Sequence, residues 1–388
     1  MIELLFLLLP VAMAYGWFMG RNSVKQNQQT EKQDLSIKYS TGLNYLLSNQ
    51  QDKAIDSLLD ALKVEDDSVE AHFAMANLFR KRGELDRALK VHEHLVRLGG
   101  LPTKAKQQAV FELGKDFLSA GLYDRAEKMF SKLLKSKTYG LKSISYLLQI
   151  FQSTKDWQQG LSHKKLIIKV NDKRQLHTLA NFYCELATTA FEQDKFIDVI
   201  ELLEEALALD PNSCRANWLM AKIYENHDQC EQAAQCYQAI YEQDKEFFPD
   251  VIQQMLDCYT RLDELDDFYK FIKKVYDETA SSSALITYVN NIQANNGHKK
   301  AKEFILTALK RRPTIRGFQH FIKMQMSQSD DVDNTSLDLI KELISEYINI
   351  KHRYSCRTCG FNSSTHYWSC PSCHEWEQLK PVRGLEGE

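Results

Sequence analysis

The chain has 388 residues, of which 26% are charged and 44% hydrophobic, with only 15 glycines and 7 prolines. This composition excludes a collagen-like, proline-rich or largely disordered protein and favours a helical globular one. Its 49 basic and 52 acidic side chains give a net charge of −3. No overall positive field therefore indicates a nucleic-acid-binding protein.

An uncharged apolar segment comes first, at residues 4–19, and the stretch from residue 2 to residue 20 contains only one charge, Glu3. As a helix this stretch is ~28 Å long, close to the ~30 Å hydrocarbon core of a bilayer. A cleaved signal peptide is one alternative, because Ala12 and Ala14 offer a small-x-small site, and a buried core helix is the other. No basic residue precedes the apolar run, so we predict an uncleaved transmembrane anchor at residues 1–20.

The charges that flank this segment predict its orientation. Arg21 and Lys25 follow it, whereas only Glu3 precedes it. Basic residues stay on the cytoplasmic side of a membrane, so residues 21–388 are expected in the cytoplasm, behind a polar tether at residues 21–34.

A repeat of about 34 residues occupies residues 35–313 and has about eight units. A small or apolar residue recurs at intervals of 34, 38, 34, 39, 34, 35 and 33 residues. Pro211 and Pro313 are expected to end the second helix of their units. The fourth unit, with Gly160 and Lys164, and the seventh, with Phe268, depart from the frame, and we expect distortion there. The recurring positions are Ala54, Ala88, Ala126, Gly160, Val199, Ala233, Phe268 and Ala301.

This frame resembles the tetratricopeptide repeat, a helical hairpin whose units stack into a superhelix. Small residues such as Gly114 belong where the two helices of a hairpin cross, since a larger side chain would separate them. The resemblance implies an all-α solenoid whose concave face, formed by the first helix of each unit, holds a peptide or protein. An ordinary solvated polar face is the alternative. The candidate groove residues are Asn77, Arg80, Lys115, Asn181, Thr188, Arg215 and Lys222.

Residues 314–350 continue the helical pattern, with Leu337, Ile340, Ile344 and Ile348 spaced three and four apart. A polar loop at residues 327–336 precedes these positions. We predict an atypical last hairpin that caps the repeats.

Two CxxC pairs, Cys356/Cys359 and Cys370/Cys373, lie within 18 residues near the end of the chain. Four thiolates make a closed tetrahedral site for one Zn²⁺ or Fe ion, with metal–sulfur distances of ~2.3 Å. The site is predicted to be structural, because a module as short as residues 351–388 needs metal-binding energy to fold. His366 and His374 are predicted to be ordinary surface histidines. The other five cysteines are scattered, as in a reducing compartment.

Nucleic-acid binding by this module is disfavoured. Its five basic and four acidic side chains give a formal charge of +1. A tetrathiolate zinc ion adds about −2, so the surface is poorly suited to phosphate and better suited to contact with protein or with the repeats.

The knuckle Cys356-x-x-Cys359-Gly360 with Cys370-Pro-x-Cys373 resembles rubredoxin, with a shorter spacer and with His374 in place of the second glycine, and it leaves zinc and iron both open. The order of anchor, repeats and knuckles resembles the lipopolysaccharide assembly protein B family of Gram-negative bacteria over the full length. That resemblance implies a single-pass inner-membrane adaptor that limits lipopolysaccharide synthesis. In this family the adaptor helps a membrane-bound ATP-dependent metalloprotease degrade the lipid A pathway deacetylase, and it is linked to the lipopolysaccharide export machinery.

Catalysis is the opposing hypothesis. The sequence has no GxxxxGK[ST], GxSxG or HExxH motif, and His92-Glu93-His94 lacks a second histidine at the required spacing. We therefore predict that the chain is not an enzyme. A general peptide-binding chaperone, or a scaffold of another membrane complex, is the alternative to the adaptor.

Overall fold

The computed structural model describes residues 66–193, 195–326 and 335–388, together with isolated positions between Trp17 and Ser57. The chain divides into two compact units, residues 1–154 and 155–388. The predicted tether lies outside the described residues, as does the predicted anchor except for Trp17 and residues 19–20, which are helical. None of the helices in the described ranges is both long and apolar enough to cross a bilayer.

The first unit consists of consecutive helices that pack against one another in hairpins. Its core contains Phe73, Ala88, Val91 and Leu95 from the first hairpin. A Cβ on Gly114 would lie 2.8 Å from the Phe130 ring, which confirms that the crossing of the second hairpin needs a glycine. The helices are α1 (Asp66–Lys81), α2 (Leu85–Arg97), α3 (Thr103–Ser119), α4 (Tyr123–Ser131) and α5 (Gly140–Thr154).

The second unit continues the hairpins and ends in a small sheet. Its helices are α6 (Trp157–Leu161), α7 (Lys164–Val170), α8 (Lys173–Phe191), α9 (Phe196–Leu209), α10 (Cys214–Asn226), α11 (Cys230–Gln243), α12 (Ile252–Leu262), α13 (Leu265–Thr279), α14 (Ser282–Asn296), α15 (His298–Arg311), α16 (Ile315–Met326) and α17 (Thr335–Ile350), with a 3₁₀ turn at Phe248–Val251.

The recurring residues of the repeat occupy equivalent positions in the fold. Each of them that the structure describes is the fourth residue of the second helix of its hairpin, and each is buried against its neighbours. Ala54 lies outside the described residues. Helices α9 and α15 end at Leu209 and Arg311, two residues before Pro211 and Pro313, as predicted.

The fourth repeat is distorted as expected, and the seventh repeat is not. The second helix of the fourth repeat is split into the two short helices α6 and α7. A Cβ on Gly160 would lie 2.3 Å from the Phe182 ring, so this position accepts no larger residue without displacing that ring. In the seventh unit, α13 is continuous and buries Phe268 against Tyr259, with 5.6 Å between ring centroids.

The all-α description holds for the repeats, whereas the carboxy-terminal module is a three-stranded antiparallel sheet. Its strands are β1 (Tyr354–Cys356), β2 (Asn362–Ser363) and β3 (Leu379–Pro381). Their order is β2-β1-β3, and Cys356 of the central strand β1 pairs with Leu379 of β3.

Candidate metal centre

The four clustered cysteines converge on one point. Their Sγ atoms all lie within 4.8 Å of one another, and Cys356–Cys373 and Cys359–Cys370 are each 3.7 Å apart. A tetrahedron with ~2.3 Å metal–sulfur bonds has edges of ~3.8 Å. The set therefore fits one metal ion with four thiolate ligands, which would serve to fold the module.

Two equivalent turns aim the cysteines. The N–H of Gly360 donates to the carbonyl of Cys356 at 3.0 Å, and the N–H of His374 donates to that of Cys370 at 2.9 Å. Gly360 has φ +76° and His374 has φ +59°, so both lie in the left-handed region. His374 thus adopts the conformation that glycine favours, and it replaces the second glycine without changing the turn.

The thiols differ in acidity. A hydrogen bond from the backbone of Phe361 holds the pKa of the exposed Cys359 at about 7, whereas burial raises the pKa of Cys373 to about 12. A bound metal must therefore displace protons, and its affinity should rise with pH.

The histidines of the module lie outside this set, since the metal-ligating group found among the described residues contains only the four cysteines. The prediction that His366 and His374 are ordinary surface residues is wrong for His366. That ring packs against Trp368 and Phe247, with centroids 4.7 and 5.1 Å away. Burial lowers the pKa of His366 to about 4, so the ring is neutral at pH 7.

The module is fastened to the repeats of the second unit by a buried carboxylate. Glu377 is 6% exposed and accepts hydrogen bonds from Ser213 Oγ at 3.1 Å, the N–H of Cys214 at 3.2 Å and Asn181 Nδ2 at 3.3 Å. Ser213 is the N-cap of α10. The carboxylate therefore lies at the amino end of α10, the positive end of the helix dipole.

Aromatic contacts also join the module to the repeats. Trp376 lies 6.4 Å from Phe182 and Trp368 lies 5.3 Å from Trp218, both between ring centroids. The guanidinium of Arg215 lies over Trp376 at 5.3 Å. The module and the repeats thus share one packed interface.

Ion pairs form the rim of the interface. Arg357 pairs with Glu246 at 3.0 Å, and Lys380 and Arg353 pair with Asp244 and Asp250. Five further groups donate hydrogen bonds to the side-chain carboxylate of Glu388, namely the hydroxyls of Ser281, Ser282 and Ser283, the N–H of Ser283, and Arg316.

Two of the four groove residues predicted within residues 155–388, Asn181 and Arg215, lie in this interface. Asn181 and Arg215 are buried, Asn181 against Glu377 and Arg215 beside Trp376 with its guanidinium 2.8 Å from Glu185. Thr188 Oγ1 donates to the carbonyl of Cys184 in its own helix. Lys222 Nζ lies 3.7 Å from the centroid of Trp218.

The groove residues predicted within residues 1–154, namely Asn77, Arg80 and Lys115, form a network of polar contacts. Arg80 pairs with Asp116 at 2.7 Å and Glu112 at 2.5 Å, and it donates to Asn77. Lys115 pairs with Glu112 at 2.9 Å. These side chains join α1 to α3 within residues 66–119.

Four residues of this interface were not singled out by the sequence, namely Glu377, Trp376, Trp368 and Ser213. Two tryptophans beside a metal knuckle could have indicated a docking face. Nothing local in the sequence marks Glu377 as buried.

The chain is similar to several known proteins. A family profile described as "Rubredoxin metal binding domain" matches residues 354–381. The chain is 38% identical to lipopolysaccharide assembly protein B of Escherichia coli (strain K12) over the whole of both chains. It is 32% identical to the protein of the same name from Haemophilus influenzae, again over the whole of both. A solved tetratricopeptide repeat protein from Parabacteroides merdae covers 71% of this chain and 98% of its own, at 12% identity and a TM-score of 0.34.

Proposed function

Because the chain belongs to the lipopolysaccharide assembly protein B family, we propose that it acts in lipopolysaccharide assembly as a non-catalytic adaptor. In this proposal it is anchored in the inner membrane with residues 21–388 in the cytoplasm. It promotes degradation of the lipid A pathway deacetylase by a membrane-bound ATP-dependent metalloprotease. It also links synthesis to the export machinery.

The observation that carries the proposal is the way the metal module is held on the repeats. Two binding surfaces held on one chain raise the effective concentration of one partner at the other, provided that both can be engaged at once. Here Glu377 is buried in hydrogen bonds from Asn181, Ser213 and the backbone of Cys214. A partner on the module and a partner on the repeats of the second unit would therefore be held rigidly with respect to each other.

The test is the lifetime of the deacetylase in cells. Cells that lack the chain should accumulate the deacetylase and overproduce lipopolysaccharide, and the wild-type chain should restore rapid turnover. Replacing Cys356 and Cys359 with Ser should leave the repeats helical and slow turnover. Replacing the half-buried Cys236 of the repeats with Ser is the matched control, and this variant should restore rapid turnover of the deacetylase.

The competing role is a general peptide-binding chaperone or scaffold of another membrane complex. Normal turnover of the deacetylase in cells without the chain would refute the adaptor and favour that role. A crosslinking experiment in membranes separates the two independently, because an adaptor should join the protease and its substrate in one complex.

A further inference from the structure

A pocket of about 220 Å³ is lined by residues of α14, α16 and α17. Its polar lining comes from one face of α16, because the four polar residues are spaced i, i+3, i+4 and i+7 along that helix. The other lining residues are Ile286 of α14 and Ile348 of α17. The four polar residues are Arg316, Gln319, His320 and Lys323.

The charged residues that line the pocket are both cations, Arg316 and Lys323. Neither α14 nor α16 contains an acidic residue. The side-chain carboxylate of Glu388 pairs with Nη1 of Arg316 from outside the pocket lining. Within the described ranges, Lys323 belongs to no ion pair. The pocket therefore has a positive charge that no lining carboxylate balances.

A second lysine lies at the same end of the pocket. The start of α16 and the end of α17 both line the pocket, so the two helices run antiparallel. Gln319 Nε2 donates to Ser345 Oγ at 2.8 Å, which fixes the register of the pair. Lys323 lies one turn after Gln319 and Lys341 lies one turn before Ser345, so the register places the two lysines side by side. Lys341 has no ion-pair partner among the described residues either.

The ring of His320 supplies a hydrogen-bonding atom without a partner. Its Nε2 atom is buried and makes no hydrogen bond within the part of the chain that the structure describes. Burial and the charge of Lys323 lower the pKa of His320 below 6.5, so the ring is neutral at pH 7. A neutral imidazole can carry its proton on Nε2, and buried polar atoms are normally satisfied by a partner.

The geometry points to a small compound with a phosphate group as the ligand of this pocket. Lysine is a common phosphate ligand, and the charges of Lys323 and Lys341 balance the charge of about −2 on a phosphomonoester. The phosphate oxygens accept hydrogen bonds from these ammonium groups and from Nε2 of His320. Drug-sized ligands occupy ~300–1,000 Å³. The organic group attached to the phosphate is therefore small, and it contacts Ile286 and Ile348.

Charge disfavours other classes of ligand. A metal cation would meet two cations and no carboxylate among the lining residues. The acidic residues of α17 do not change this, because Glu342 and Glu346 lie on the side of the helix away from Ile348 and Asp338 is almost three turns from it. A purely apolar compound would leave Nε2 of His320 buried without a partner.

The test uses the full chain in nanodiscs of phosphatidylcholine and isothermal titration calorimetry. The probes are inorganic phosphate and glucose 1-phosphate, with glucose as the matched compound that lacks phosphate. We expect both phosphates to bind and glucose not to bind. Lys323→Gln and Lys341→Gln should each weaken binding about tenfold or more, because each removes a charge-assisted contact. Lys169→Gln, at an exposed lysine of α7, is the matched control and should bind like the wild type.

A second measurement reports on the pocket directly. Nuclear magnetic resonance of ¹³C-labelled histidine should show the pKa of His320 rising when phosphate binds, because a nearby anion favours the imidazolium. His320→Gln identifies the signal. The same rise with phosphatidate in the nanodisc, prevented by Lys323→Gln, would assign the phosphate to a lipid headgroup, whereas a response only to the soluble compounds would assign it to a free one.

Three outcomes would overturn the assignment. They are no binding of either soluble phosphate or of phosphatidate, equal affinity of Lys323→Gln and the wild type, and binding of glucose as tight as that of glucose 1-phosphate. Folding is controlled by thermal unfolding without ligand, which should not differ among the lysine variants because none of these lysines has an ion pair within the described residues. Phosphate binding is measured without protease or deacetylase, so its failure would leave the adaptor proposal standing.

Discussion

Glu377 is the residue at which docking of the module can be separated from metal binding. Glu377→Gln places an amide where three donors converge, and it removes the charge at the amino end of α10. We expect a loss of about 1–3 kcal/mol in the free energy of unfolding, from lost hydrogen bonds to a buried charged group. Denaturant unfolding measures this loss, and metal analysis should still find one bound ion.

The neighbouring Glu375 supplies the control. It pairs with Arg174, a largely exposed side chain, at the rim of the interface. Exposed ion pairs contribute about 0–1 kcal/mol, so Glu375→Gln should change stability little. Equal effects of the two substitutions would show that Glu377 does not fasten the module.

Gly160, in the distorted fourth repeat, lies beside the interface between the repeats and the metal module. In Gly160→Ala the new Cβ would lie 2.3 Å from the Phe182 ring, which also contacts Trp376. Overpacking of this kind costs about 1–3 kcal/mol, more than the gain in helix propensity from alanine. Thermal unfolding should show the loss. Gly99→Ala, where a Cβ meets nothing within 4 Å, should stay within about 0.5 kcal/mol of the wild type.

His177 and Asp210 make stability depend on pH. Burial alone would lower the pKa of His177, but the hydrogen bond to Asp210 and the charge of Glu377 raise it above 6.5. The hydrogen bond from His177 lowers the pKa of Asp210 below 3.8. Stability from His177 is therefore full below pH 6.5 and falls as pH rises through the raised pKa, while stability from Asp210 is lost as pH falls through its lowered pKa.

The wild type should accordingly lose more stability between pH 6 and pH 9 than His177→Gln does, which urea unfolding at a series of pH values would show. The same decline in both proteins would contradict a charged His177 in the folded state. The comparison also controls for other groups that titrate in this range, because both proteins share them.

At the scale of elements, loss of metal should unfold the module and leave the repeats helical. Cys356→Ser or Cys373→Ser removes one of four thiolates, and a short module has too little core to fold without the ion. Metal analysis should find no stoichiometric ion, while far-ultraviolet circular dichroism keeps most of its helical signal. Tryptophan emission should shift to the red because Trp376, 4% exposed when docked, becomes solvated. Full metal occupancy in either variant would contradict four-cysteine ligation.

The hairpins and the ligand set could be predicted from the sequence because their signals are local. The fourth position of each second helix is read from spacing alone, and two CxxC pairs specify a metal site wherever they fold. The seat of the module could not be predicted, since Glu377 and Asn181 are separated by 196 residues and no periodicity connects them. The contacts of the predicted groove residues could not be foreseen for a related reason, because the pattern shows that Arg80 is polar but not that Asp116 and Glu112 bind it.

At the scale of the whole molecule, these contacts change how the repeats should be tested. Reversing Arg80 or Arg215 would break internal pairs with Asp116 and Glu185, so lost function would report damaged folding rather than a lost partner. Lys222 lies over Trp218, so substituting it leaves both of these ion pairs in place.

Placement at the membrane is the last property to test, and the charges beside residues 4–19 decide its direction. Arg21 and Lys25 follow the apolar run and only Glu3 precedes it, so the positive-inside rule predicts a cytoplasmic carboxy terminus. Alkaline phosphatase fused after Glu388 should be inactive, and a cytoplasmic reporter at the same place should be active. Moving the positive charge, with Glu3→Lys, Arg21→Glu and Lys25→Glu together, should raise phosphatase activity. An active phosphatase on the unaltered chain would refute the cytoplasmic orientation, and with it the adaptor role proposed above.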